Sequence, residues 1–253
     1  MRILHSLWIM MFLLFSACQS QPNQPAIQAP NTIMSIPATT QQLLRVTTAD
    51  WNTSTGTLQR YERDAQGHWQ KVGKPINIIL GRNGLGWGLG LHHTPVDAVY
   101  IKHEGDGRAP AGLFVLGHGF GYDTFDIAFP YTLYRRTDHC VDDSHSQWYN
   151  QIVDSTKVEQ DYKSFEYMRL KNNLYEYGIT VNHNPDRIAQ AGSCIFMHIR
   201  NPKGGATAGC TAMDKKDIVE ILRWLREDKH PLLLQLPKEE LERYIDDEQL
   251  KSS

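Results

Sequence analysis

The chain has 253 residues, 41% of them hydrophobic and 21% charged, and a formal net charge of −2 at pH 7. Acidic and basic residues are mixed along it with no basic stripe, which excludes an electrostatic nucleic-acid partner. Once its N-terminal segments are set aside, about 200 residues remain, enough for one domain with its own core.

In chain order the first element is residues 1–18. Arg2 precedes a nine-residue apolar run from Leu7 to Phe15, and "SAC" follows. A cationic start, a short apolar stretch and small residues make a secretory signal, and nine residues are too few to cross a hydrocarbon core of roughly 30 Å as a helix. The end of the run, "LFSAC", resembles a bacterial lipoprotein processing site, with Phe15 standing where leucine is usual. That resemblance implies that Cys18 becomes the lipidated first residue of the mature chain; the alternative is ordinary soluble export. Gln19, rather than aspartate, follows the cysteine, which by the same resemblance directs the anchor to the outer membrane of a Gram-negative cell and leaves the domain in the periplasm. Two or three acyl chains hold a protein stably where one does not.

Residues 19–38 carry four prolines, four glutamines and no charge, a composition that cannot bury enough apolar surface to fold. They read as a flexible tether reaching about 25 Å as a coil and about 60 Å as polyproline II. Residues 39–236 form the domain expected to work, and 237–253 a charged helical tail.

From Leu43 to Ala98 the pattern is mostly strand. "GTLQRYERD" and "GHWQKVG" are separated by the hairpin turn "DAQG", and "PINIIL" is a third strand. "GRNGLGWGLG" has five glycines in ten residues. It has neither GK[ST] nor the G-x-G-x-x-G spacing of a phosphate loop, so it reads as a tight, closely packed turn. Next come a strand beginning at Asp97, a polar glycine turn and a strand from Leu113 to Leu116. Residues 131–190 mix aromatic and charged residues with weak periodicity; long loops and a short helix near Tyr162 to Leu170 are expected. "YGITVNHN" and "SCIFMHI" are apolar strands suited to the middle of a sheet. Asp214 then caps an amphipathic helix, with Asp217 in its first turn and Ile218, Ile221, Leu222 and Leu225 on one face. "LLLQL" is a last strand, and Pro237 opens the tail helix.

The chemistry concentrates in "HIRNPKGGATAGC". His198 lies at the end of a buried strand, and Cys210 follows eleven intervening residues later across a loop rich in glycine. A loop that folds back can bring the imidazole to the thiol, which needs a base to become a nucleophile near neutral pH. Around Cys210 the side chains are small, so a carbonyl can approach, and the N–H groups of Gly209 and Cys210 can receive the charge that develops on its oxygen.

These segments resemble the catalytic domain of the L,D-transpeptidases, the YkuD-like family, whose motif is a histidine after a strand and then [ST]-H-G-C. "FMHI" and "TAGCTAM" carry the likeness, and "GRNGLGWG", "EGDGRAPAGLFVLGHGFGY" and "CVDDSHSQWYN" extend it over residues 43–236. Ala208 stands where the family has histidine, and Ala212 where it has arginine or asparagine. The resemblance implies a mainly β, α+β fold, a mixed sheet or sandwich with few helices, one directly after the nucleophile loop. It implies that Cys210 attacks the meso-diaminopimelate–D-alanine bond of a peptidoglycan tetrapeptide stem, with His198 as general base and later acid. An amine then resolves the thioester as a 3→3 cross-link or protein attachment; resolution by water would make an L,D-carboxypeptidase. Arg200 is the candidate cation for the diaminopimelate carboxylate. Thr207, Ala208, His118 and Tyr122 are candidate substrate contacts. No cofactor is implied, and the chain is expected to act as a monomer.

Of the four cysteines, Cys140 and Cys194 are left as a possible disulfide pair in an oxidising periplasm. His92 with His93, and His139, Cys140 and His145, lack the spacing of a zinc site, so no metal is expected. Asp142 and Asp143 read as loop-capping acids. A second functional class stays open beside the enzyme: a catalytically silent lipoprotein that binds peptidoglycan through the same cleft.

Overall fold

The structure, a computed structural model, describes residues 34–245 and Leu250; the signal, Cys18 and the tether up to residue 33 lie outside the described residues. β1 (Gln42–Thr48), β2 (Thr55–Arg63) and β3 (Trp69–Ile79) form an antiparallel run. Their tight turn is held by Asp64, whose Oδ1 accepts the N–H groups of Gln66 and His68. The two strands expected over residues 67–80 are one bent strand. Its pairing steps from Arg60↔Val72 to Leu58↔Ile76, so residues 73–75 bulge. Gly73 has φ +68°, and Pro75 lacks an N–H to leave unpaired; this is why the pattern reads as a break.

β4 (Leu85–Trp87) leaves the glycine loop. A Cβ on Gly81 would lie 2.3 Å from the Gly107 carbonyl oxygen, so the glycines serve close backbone packing. The strand expected from Asp97 does not form. Ala98 turns back onto the Pro95 carbonyl, and only Ile101 pairs, with Trp87. β5 (Ala109–Gly121) is far longer than Leu113–Leu116 and carries β6 (Tyr131–Leu133) on its flank. β7 (Asp138–Val141), β8 (Ile152–Asp154) and β9 (Phe165–Tyr167) make a separate antiparallel sheet in the order β8-β7-β9. The helix expected near Tyr162–Leu170 is replaced by β9. Phe165 stacks on His139 at 3.8 Å and Tyr167 meets its edge at 5.0 Å, contacts that only alternation provides.

β10 (Tyr177–Val181), β11 (Phe196–Ile199), β12 (Thr211–Met213), α1 (Lys215–Trp224), β13 (Leu232–Pro237) and α2 (Lys238–Tyr244) complete the chain. The large sheet runs β10-β11-β12-β3-β2-β1-β13-β5, and β5 pairs back to β10, so eight strands close into a barrel. β11–β12 and β1–β13 are parallel and the other neighbours antiparallel. The chain is thus mainly β with a mixed sheet and few helices, closed as a barrel rather than stacked as a sandwich.

α1 follows β12 directly. Ile218, Ile221, Leu222 and Leu225 are fully buried, each contributing roughly 1.5–3 kcal/mol of transfer free energy. The helix packs on β10 and β11, and its last turn reaches across to β1 and β2 through Gln42 on the Trp224 carbonyl and Glu62 on the Trp224 indole. It therefore spans a mouth of the barrel. Asp214 occupies its N-cap position without a capping bond, because its carboxylate pairs with Arg200 at 2.7 Å.

Strand alternation sends Met197 into the barrel interior and Phe196 outward. On that outer face a second apolar cluster, with Tyr134, Met168, Tyr175 and Cys210, joins the barrel to the small sheet. A disulfide between Cys140 on β7 and Cys194 before β11, Cα atoms 6.0 Å apart, fastens the two. At the other end of the chain Met34 is buried, pairs with Ile245 and donates its N–H to the Tyr244 carbonyl. Residues 34–38, expected in the tether, therefore belong to the folded domain, and α2 docks beside them on β1 and β13.

Candidate active site

The loop between β11 and β12 does fold back. In the parallel register Met197 faces Thr211 and His198 faces Ala212, so Cys210 lies level with Phe196. Side-chain alternation then puts Cys210 and His198 on the same outer face as diagonal neighbours. The loop is held by the Arg200 N–H on the Met213 carbonyl, the Thr207 N–H on the Leu80 carbonyl and the Arg82 N–H on the Thr207 carbonyl. Small residues are required here, since a Cβ on Gly209 would stand 2.9 Å from the Arg108 carbonyl oxygen.

Two expected roles change. The Thr207 hydroxyl donates to the Cys210 carbonyl at 2.7 Å and accepts the Gly209 N–H at 3.2 Å. Thr207 is therefore a staple of the loop rather than a substrate contact, and the Gly209 N–H is already satisfied instead of waiting for an oxyanion. Ala208 is exposed between them.

Cys210 is buried, 7% exposed as a residue. Phe196 N–H donates to Sγ at 3.4 Å, and the thiol faces the Cys194 carbonyl at 3.6 Å. Among the described residues no hydrogen bond joins Sγ to His198. The imidazole is oriented by its own strand: Nδ1 lies 2.8 Å from the Ile199 carbonyl, so Nδ1 carries the proton and Nε2 is the basic nitrogen. Burial raises the Cys210 thiol well above its ordinary range, with the Glu166 charge adding to it, and burial lowers His198 to about 4. At rest the pair is neutral thiol and neutral imidazole.

Sequence reasoning missed Tyr175 and Glu166. The Tyr175 ring lies 5.1 Å from the His198 ring, and its hydroxyl donates to Glu166 Oε2 at 2.6 Å while also acting on the Cys210 thiol. Burial raises Glu166 to about 7, helped by the charges of Asp142 and Glu104. Glu166 acts on the thiol through its charge, from β9, where it pairs with Cys140.

Two clefts border β11, one at its Phe196 end and one at its Ile199 end. One, of about 480 Å³, is lined by His118, Tyr134, Gln151, Thr180, Asn182 and the disulfide; His118 Nε2 is 2.8 Å from the Tyr134 hydroxyl. The other, of about 630 Å³, is lined by Ile199, Arg200, Asn172, Asn201, Glu176 and Lys215. Cys210 and His198 line neither: both are buried, Cys210 in the apolar cluster with Cys140, Met168 and Tyr175, and His198 against the Tyr175 ring. Tyr122, expected at the substrate, is buried instead. Its hydroxyl accepts the Leu170 N–H at 2.8 Å and its ring lies under Arg169 at 4.8 Å.

Two of the histidines weighed as metal ligands have partners in the fold. His139 Nδ1 meets the Tyr162 hydroxyl at 3.0 Å, and His92 Nδ1 accepts the Leu113 N–H at 3.1 Å. Asp143 caps its loop, accepting N–H groups from His145 and Lys163. Among the described residues no group of three His, Cys, Asp or Glu could hold a metal ion. In comparisons with known proteins, no family model, no curated protein and no solved structure matches the chain.

Proposed function

We propose that the chain is an exported, lipid-anchored cysteine acyltransferase of the L,D-transpeptidase type. The observation that carries this reading is the parallel β11–β12 register, which sets Cys210 beside an imidazole whose Nε2 is its basic nitrogen. In the reaction Sγ attacks the carbonyl between diaminopimelate and D-alanine while its proton passes to Nε2. His198 returns that proton to the departing D-alanine amine. The thioester is then taken by an amine of a second peptidoglycan stem, or of a protein, to give a 3→3 cross-link or an attachment. Water in that role gives carboxypeptidase activity instead. Arg200 offers the substrate carboxylate a cation at the rim of the larger cleft, already oriented by Asp214. Because the resting thiol is covered and neutral, turnover requires the packing of Cys140, Met168 and Tyr175 around it to open. Cys18 carries the lipid and holds the enzyme at the outer membrane, facing the periplasm.

A second reading has its own support. The enclosed thiol, its lack of a bond to His198 and the satisfied Gly209 N–H suit a silent domain that binds peptidoglycan without cleaving it. The full chain incubated with disaccharide-tetrapeptide separates the two. Release of D-alanine, lost in Cys210→Ala, supports the enzyme, and binding without release supports the silent domain. A dimeric muropeptide product indicates transfer, tripeptide alone hydrolysis.

A further inference from the structure

Seven large hydrophobic side chains are exposed among the described residues, and four of them, Leu91, Val96, Val99 and Ile101, fall within one eleven-residue loop. Val96 and Val99, at 93% and 82% exposure, form its tip. Single exposed apolar residues are ordinary, but a cluster on one loop marks a contact surface. The charge at the tip is neutralised within the domain, because Asp97 Oδ2 pairs with Arg243 at 2.6 Å.

The same contacts locate this loop relative to the tether. Tyr244 accepts the Met34 N–H on its carbonyl, while its hydroxyl is 3.5 Å from Asp97 and its ring is 5.6 Å from Trp87. The apolar tip and the point where the N-terminal chain enters the domain are thus bound to one residue of α2. Fifteen residues, 19–33, separate that point from Cys18, a span of about 20 Å as a coil. α2 rests on β1 and β13, and two strands of the ring separate these from β11 and β12 in either direction. The strands that carry Cys210 and His198 thus lie across the ring from α2 and Met34.

From this arrangement we infer that the loop from Leu91 to Ile101 is a foot that seats the domain on the bilayer, leaving the strands of Cys210 and His198 toward the cell wall. The inference rests on the reading of Cys18 as the lipid anchor. A short tether keeps the foot at high local concentration over the lipid, so the anchor raises its occupancy above what the foot reaches alone.

Hydrogen exchange on the lipidated full chain, in vesicles of phosphatidylethanolamine with a minority of phosphatidylglycerol, tests it against the Cys18→Ser full chain free in buffer. Slowed exchange of amides 91–101 in vesicles, lost in the Val96→Asp, Val99→Asp double variant, supports the foot. Equal exchange in both states with Cys18 acylated overturns it. Protection of the loop in buffer that depends on protein concentration also overturns it, since a second copy then covers the surface. An intact mass without acyl chains would refute the anchor and not the foot. Flotation of that unlipidated chain with the vesicles, abolished by the double variant, would then support the foot, and no flotation would overturn it.

Discussion

At the residue scale the thiol is governed by what surrounds it more than by its histidine. Glu166 is raised to about 7 by burial and neighbouring carboxylates, and its charge in turn holds the thiol protonated. Replacing Glu166 by glutamine keeps the Tyr175 hydrogen bond and removes that charge. The Cys210 thiol pKa should fall, and alkylation at pH 8 should quicken by roughly tenfold for each unit of fall. An unchanged rate profile against pH would show that Glu166 does not act on the sulfur. The same substitution has a stability sign. A carboxyl whose folded pKa lies above its unfolded value favours folding at low pH, and that contribution is lost as pH rises from about 4.5 to about 7. Glu166→Gln should therefore raise the urea midpoint at pH 8, by roughly 1–3 kcal/mol in free energy, and change it little at pH 4. Cys210 and His198 were legible in the sequence because their loop carries them locally. Tyr175 and Glu166 were not, because they reach the thiol from a region of weak periodicity whose place depends on the whole sheet.

At the scale of elements, the small sheet β7-β8-β9 is joined to the barrel by one covalent bond, beside hydrogen bonds such as Tyr175 to Glu166 and Cys194 N–H to Asn150. The Cys140–Cys194 bond closes a segment of 54 residues, for which the loss of chain entropy on unfolding corresponds to roughly 4 kcal/mol. Cys140→Ser with Cys194→Ser should lower stability by up to that amount and make Cys210 alkylate faster, because a bond that holds the packing around the thiol is removed. If the thiol stays equally slow in folded double variant, packing alone closes the site. α1 is expected to matter as much: Leu222→Ala empties a fully buried position against β5 and should cost about 2–5 kcal/mol, read from the denaturation midpoint. Both helices were legible from their spacing, and β2, β10, β11 and β13 from alternation or apolar runs. The bulge at 73–75 hid the continuity of β3, since glycine and proline mark a turn and a kink in the same way. The three-residue strands β8 and β9 are too short for a period to be counted, and the closure of β5 on β10 is a long-range pairing with no local mark.

For the whole molecule, burial of histidine links the barrel to pH. His92, His183 and His198 lie on or beside the strands β4, β10 and β11, and burial lowers each to about 4. Two of them accept backbone N–H bonds at Nδ1, His92 from Leu113 and His183 from Leu89, and protonation of that nitrogen breaks the bond. A histidine whose folded pKa is depressed below about 6.5 contributes stability that is fully present above the unfolded value. It is lost as pH falls through the window down to about 4. Glu166 works in the opposite direction over nearly the same range, one group against three, so acidification should be a net loss on the order of 5 kcal/mol. Urea midpoints of the full chain should therefore fall steeply between pH 6.5 and pH 4, and a flat profile would mean that the imidazoles protonate without leaving their places. His183→Asn, which keeps an acceptor near the Leu89 N–H, should flatten part of that slope. The loss would spread through the structure at once, since β10 closes the barrel, borders β11 and carries the wall of the smaller cleft.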